Sequence, residues 1–147
     1  MNAKVIYLVN PDNPSGTHLS AAEVEAFVEN LPPGVLLLLD EAYLELAPLG
    51  TAPRVAADDL RVLRLRTFSK GYGLAGARIG YAIGALEMIS AFDKIRNHFG
   101  VSRISQAGAL AALEDDAYLE QVVGRITASR AELINIAKTN GLKVIVV

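Results

Sequence analysis

Lys70, Asp40, Tyr43 and Asn13 offer an amine, a carboxylate, a phenol and a carboxamide, and each lies just past a run of apolar residues. Asn13 falls in the turn Asn10-Pro11-Asp12-Asn13-Pro14-Ser15-Gly16 that follows VIYLV at 5–9. Asp40 and Tyr43 close the run at 35–39, and Lys70 follows LRVLRLRTF at 60–68. In an open α/β sheet, ligands bind beyond the carboxyl ends of the strands, so groups at different strand ends meet even when far apart in sequence. Taken one at a time, an Asn is usually in a turn for its geometry, an Asp after a strand is usually a cap or solvated, and a Lys is usually a surface residue. Together, at three successive strand ends, they predict a crevice for a small molecule. Glu41, beside Asp40, reads as a solvated strand end, and Tyr7, Tyr81, Tyr118 and the phenylalanines read as packing residues.

The elements that must position these groups follow from pattern. A strand at 5–9 ends in a stiff loop. Ser20 and Glu23 have capping-box spacing, and Val24, Phe27, Val28 and Leu31 recur at helical intervals until Pro32-Pro33-Gly34 stops the helix. The run at 35–39 has no polar alternation, which predicts a strand covered on both faces, as parallel strands of α/β domains are. A third strand is expected at 60–68 and a fourth at 79–83. Roughly ten residues separate these two, marginal for a parallel crossover of a dozen or more, so the fourth is expected to run antiparallel. Helices are expected at 86–96, 102–113 and 117–140, the last with an apolar stripe from Ile126, Leu133, Ile136 and Ala137 and with Gly141 to end it. A new strand is expected at 143–147. The fold class is α/β: a mostly parallel sheet with one antiparallel strand and flanking helices.

With 147 residues and 52% hydrophobic content, the chain can bury one real core. A net charge of −2, with Lys and Arg scattered, gives no basic stripe for nucleic acid or an anionic membrane. The longest apolar run is far short of a membrane span and no leader pattern opens the chain, which predicts a cytoplasmic protein. There is no cysteine, and His18 and His98 are isolated loop residues, so neither a disulfide nor a protein-bound metal is expected. Partners are expected to be small molecules or like subunits. Gly71-Tyr72-Gly73-Leu74-Ala75-Gly76 matches the G-x-G-x-x-G dinucleotide fingerprint, but that fingerprint needs a helix opening inside it and a second parallel strand. The glycines are read instead as letting the backbone pass close to a ligand and turn back.

The three strand-end segments resemble the fold-type I pyridoxal-phosphate enzymes, and within them the histidinol-phosphate aminotransferase group. The pieces that carry the resemblance are residues 10–16, Asp40-Glu41-Ala42-Tyr43, and Thr67-Phe68-Ser69-Lys70-Gly71-Tyr72-Gly73-Leu74-Ala75-Gly76-Ala77-Arg78-Ile79-Gly80-Tyr81. The Ser-Lys pair with Arg eight residues on is the most specific. The resemblance implies the central part of a fold-type I large domain over 1–140 and the start of a small domain at 141–147. It implies pyridoxal 5'-phosphate as cofactor and Lys70 as the Schiff-base and proton-transfer residue. Asp40 would face the pyridine nitrogen, Asn13 and Tyr43 the phenolic oxygen, and Arg78 the phosphate with help from Thr67 and Ser69.

The implied activity is transfer of an amino group between an amino acid or amino-phosphate donor and a 2-oxo acid, in a homodimer. Full-length members of the group are about twice this length or more. Against them the chain lacks the glycine- and serine-containing phosphate turn, the aromatic residue that stacks on the ring, the partner-subunit tyrosine and the substrate-binding arginine. Two other readings are therefore carried: a truncated domain without turnover, and a decarboxylase or lyase of the same fold, which uses the same electron sink. Uncovered strand edges and apolar faces predict self-association.

Overall fold

The computed structural model describes residues 3–144. Four strands form one sheet in the order β1 (Val5–Val9), β2 (Leu36–Asp40), β3 (Val62–Thr67) and β4 (Gly80–Ile83). The first three are parallel and β4 returns antiparallel to β3, the arrangement expected from the short connection. Gly80 lies opposite Thr67, and a Cβ there would stand 2.7 Å from the Arg66 carbonyl oxygen, so the strands can lie this close only with glycine at that position. Within 68–79 the backbone makes only a 3₁₀ turn, Ala75–Ala77. No helix opens on the glycine motif and no parallel strand follows it, which excludes the dinucleotide reading.

Helix α1 (Ala21–Glu29) links β1 to β2 and has the full capping box: Ser20 Oγ accepts the Glu23 N–H and the Glu23 carboxylate accepts the Ser20 N–H. Val24 and Val28 of α1, with Leu31 and Val35, pack on Leu37, Leu39 and Val62 to form the core. Burying Leu37 and Leu39 completely contributes about 1.5–3 kcal/mol each. Leu36 and Leu38, which point the other way, are half-buried, so β2 is sealed on one face rather than on both. No α-helix bridges β2 and β3; a 3₁₀ turn, Leu44–Leu46, and extended chain make that crossover.

The C-terminal half holds α2 (Leu86–Phe92), α3 (Arg103–Leu113) and α4 (Asp116–Thr139). Helix α2 stops four residues earlier than the pattern suggests. Beyond Phe92 the chain turns, with Arg96 held to Asp93 at 2.6 Å, and Ile95 and Phe99 stay in solvent. A short helix without an apolar surface to dock on has nothing to extend it. The stripe expected on α4 is only partly covered, since Leu133 and Ile136 are exposed while Ile126, Ile134 and Ala137 are half-buried. Gly141, at φ +70°, follows the helix end as expected. Of the strand expected at 143–147, Lys143 and Val144 are not in strand conformation, and 145–147 lie outside the described residues. Among the described residues, no helix is long and apolar enough to cross a membrane.

Candidate functional site

Because side chains alternate along a strand, the parallel register sorts the strand ends onto two faces. Tyr7, Leu38, Asp40 and Leu65 share the outer face. Leu8, Leu39, Arg64 and Arg66 share the inner face, which α1 covers further along the strands.

On the inner face, Glu41 is 1% exposed. Its carboxylate takes a two-point fork from Arg64, at 3.0 and 2.9 Å, and a further bond from Arg66 at 2.8 Å, while Arg66 also reaches Glu45 at 2.9 Å. Burial works against the Arg66 cation, but the hydrogen bond and charge of Glu41, with Glu45 adding, outweigh it and hold the guanidinium above its ordinary value. The expectation that Glu41 is a solvated strand end is therefore wrong. The reason is register: one residue past Asp40, it points to the face where Leu39 is paired with Arg64. The network joins the ends of β2 and β3 to the 3₁₀ turn, and the Glu45 side chain packs against Gly71, where a Cβ would meet it at 3.1 Å.

Of the four strand-end groups the sequence singles out, Asp40 lies on the outer face, and Asn13, Tyr43 and Lys70 sit in the loops beyond the strands. Asn13 Nδ2 donates to the Tyr43 hydroxyl at 2.8 Å, and Lys70 Nζ stands over the Tyr43 ring, 5.0 Å from its centroid. A cation at that distance is attracted by the ring face. Three of the strand-end residues thus meet at Tyr43. The loop bearing Asn13 is braced by Asn10, 1% exposed, whose amide both donates to the Leu19 carbonyl and accepts the Leu19 N–H, at 3.1 and 2.8 Å. Asp40 Oδ1 accepts the Ala42 N–H at 2.9 Å, and Asp40 Oδ2 accepts the hydroxyl of Tyr7. Tyr7 is 56% exposed, so the packing role read for it is wrong. The available signal was its place two residues before Val9, which pairs with Asp40 and so puts the phenol on Asp40's face.

Thr67, Ser69 and Arg78 flank Lys70 along the same loop. Phe68 N–H closes that loop on the Ile79 carbonyl, and the rings of Phe68, Tyr72 and Tyr81 pack beneath it at 5.1 and 5.5 Å between centroids. Thr67 Oγ1 accepts the Ser69 N–H at 3.1 Å. Arg78 has φ 51° and ψ 49°, a left-handed conformation that strains a residue with a side chain by roughly 1–2 kcal/mol. Its guanidinium is exposed and, among the described residues, hydrogen-bonds only the Ala75 carbonyl, which leaves most of the fork open to an anion. Such strain accumulates at ligand clamps. A surface cavity of about 460 Å³ is lined by Asn13 and Tyr43 together with His18, Pro48, Arg130 and Ile134.

An amine, a carboxylate, a phenol, a carboxamide and an open guanidinium at the strand ends of an α/β domain are groups with which a small molecule can be held. The chain belongs to the family of class I and II aminotransferases, whose model matches residues 1–146. It is 39% identical over 143 residues to histidinol-phosphate aminotransferase of Bacillus subtilis (strain 168), covering 95% of this chain and 40% of that protein. It is 42% identical over 120 residues to histidinol-phosphate aminotransferase 1 of Psychrobacter arcticus, covering 82% of this chain and 32% of the relative. The crystal structure of histidinol-phosphate aminotransferase from Sinorhizobium meliloti in complex with pyridoxal-5'-phosphate superimposes with a TM-score of 0.91 at 51% identity, over 95% of this chain and 39% of that one. The chain thus spans 40% or less of the length of these relatives.

Proposed function

We propose that this chain is the cofactor-binding part of a pyridoxal-phosphate-dependent aminotransferase acting on histidinol phosphate or a similar amino donor and a 2-oxo acid, with Lys70 as the Schiff-base lysine. The observation that carries the reading is the meeting of Asn13, Tyr43 and Lys70, with Lys70 Nζ 5.0 Å from the Tyr43 ring centroid and the Asn13 amide on the Tyr43 hydroxyl. The donor set suits the cofactor group by group. Asp40 keeps lone pairs for a pyridine N–H, Asn13 and Tyr43 offer hydrogen bonds to a phenolate, and the open Arg78 fork suits a phosphate. The similarity to a relative solved with this cofactor supports the same assignment.

When bound, the cofactor supplies the electron sink that makes the substrate's Cα–H acidic. The chain's own residues do the rest. Lys70 carries the cofactor and then moves the proton at Cα. Tyr43 and Asn13 fix the plane of the ring, Asp40 holds the proton on its nitrogen, and Arg78 with the Thr67 and Ser69 hydroxyls fixes the phosphate end. Residues 1–140 are then part of a cofactor-binding large domain, and 141–147 open a small domain. Substrate binding, a cytoplasmic location and a homodimer are proposed on the same footing. The exposed apolar side chains Ile95, Phe99 and Ile104, 81% to 94% in solvent, support an oligomer.

The test is titration of the chain with pyridoxal phosphate, followed by the absorbance of the lysine-bound cofactor. The unaltered chain is expected to develop it and Lys70→Ala to lack it. Equal absorbance from both would reject the assignment of Lys70.

A further inference from the structure

The Asp40 carboxylate is held from two separate elements, the turn that follows β2 and the adjacent strand β1. Its Oδ1 accepts from the backbone two residues on, and its Oδ2 from the phenol of Tyr7 on the adjacent β1. An aspartate at the end of a strand with a single backbone contact can still turn about its last side-chain torsion, which is broad and shallow. A second donor on the other oxygen, from a separate strand, fixes that torsion and the plane of the carboxylate. Hydrogen bonds from a hydroxyl to an ionised carboxylate are among the stronger ones in proteins. Two donors also leave lone pairs over, since a carboxylate has about four acceptor positions.

We propose that Tyr7 is a positioning residue of the cofactor site: its hydroxyl fixes the orientation of the Asp40 carboxylate so that the remaining lone pairs meet the pyridine nitrogen. This rests on the reading of Lys70 and Asp40 given above. Three features make Tyr7 suited to the role. It occupies the same sheet face as Asp40, because Tyr7 pairs with Leu38 and Val9 with Asp40. Its ring is more than half exposed and packs little, so the hydroxyl contact is the main thing the side chain does. The bond to Asp40, then partial burial and the negative charge of Asp40, hold the phenol above its ordinary value of 10.0, so it keeps its proton further into the alkaline range.

Tyr7→Phe tests this with small risk to folding, because it removes one oxygen from an exposed ring. The readouts are the affinity of the chain for pyridoxal phosphate and the NMR resonance of an isotope-labelled pyridine nitrogen in the bound cofactor, which reports whether that nitrogen carries a proton. Borohydride reduction and peptide mapping run in parallel on both proteins. The expected result is an unchanged circular-dichroism spectrum, an affinity weaker by up to about tenfold, the cost of ordering on binding one side chain that the phenol no longer holds, and a resonance displaced toward the unprotonated position. Unchanged affinity and resonance, with cofactor still fixed on Lys70 in both proteins, would overturn the role of Tyr7 alone. Failure of the unaltered chain to fix cofactor on Lys70 would overturn the site reading, and the role of Tyr7 with it.

Discussion

At the end of β2 two adjacent carboxylates, Asp40 and Glu41, are held in opposite ways by the two faces of the sheet. Glu41 lies on the inner face, 1% exposed, with two arginines on it and a third charged partner one step away at Glu45. Asp40 lies on the outer face, half-buried, with one backbone donor and one phenol. The inner carboxylate has its neighbours' charges satisfied and little room for anything further. The outer one keeps acceptor capacity in reserve. The contrast separates residues that hold the strand ends together from residues that stay available to a ligand, although both come from the same segment.

Substitutions on the two faces should therefore separate stability from cofactor binding. The largest stability effect is expected for Glu41→Ala, which strands two poorly exposed guanidiniums; breaking such a pair costs about 3–5 kcal/mol, readable in urea melts. Asp40→Asn, by contrast, is expected to change stability by less than about 1 kcal/mol, the scale of one hydrogen bond, while weakening cofactor binding by tenfold or more. A melt in which Asp40→Asn is the more damaging of the two would break the comparison. Next in size is Asn10→Ala, which leaves the Leu19 N–H and carbonyl without their partner and is expected to cost about 1–3 kcal/mol. It should also loosen the loop carrying Asn13, so amide exchange at residues 12–17 should quicken.

The smallest stability effect is expected at Arg78. Replacing it with glycine relieves a left-handed strain of roughly 1–2 kcal/mol but adds about 0.5–1 kcal/mol of unfolded-state entropy, which offsets about half of the relief. Melting of Arg78→Gly should match the unaltered chain within about 0.5–1 kcal/mol, while binding of pyridoxal phosphate weakens far more than binding of pyridoxal, which lacks the phosphate. Equal weakening for both would argue that Arg78 acts on the loop and not on the phosphate. Tyr7 gives a pH signature. Its folded value is raised, so the contribution of its bond to Asp40 is complete below the ordinary value of 10.0 and fades as pH climbs past the folded value. Alkaline melts of Tyr7→Phe should lack that loss.

Much of the architecture is legible in the sequence because local chemistry and global fold agree. β1 falls on VIYLV, the capping box at Ser20 and Glu23 opens α1, and the short connection to 79–83 forces β4 to return antiparallel. The candidate residues are legible because turn and polar residues mark where strands end. What the sequence does not carry is the face each residue takes. Asp40 and Glu41 differ in fate only through the pairing of Leu39 with Arg64 in another strand, and Tyr7 reaches Asp40 only through the register of β1 on β2. The ends of α2 and the coverage of α4 are likewise set by what lies against them, which periodicity alone does not report.

The central claim is that Lys70 carries the cofactor. Incubating the chain with pyridoxal phosphate, reducing with borohydride and mapping the added mass by peptide sequencing tests it most directly, because four other lysines, Lys4, Lys94, Lys138 and Lys143, compete for the same chemistry. The adduct is expected on the peptide holding Lys70, at one cofactor per chain. An adduct spread over the other lysines, or none, would contradict it.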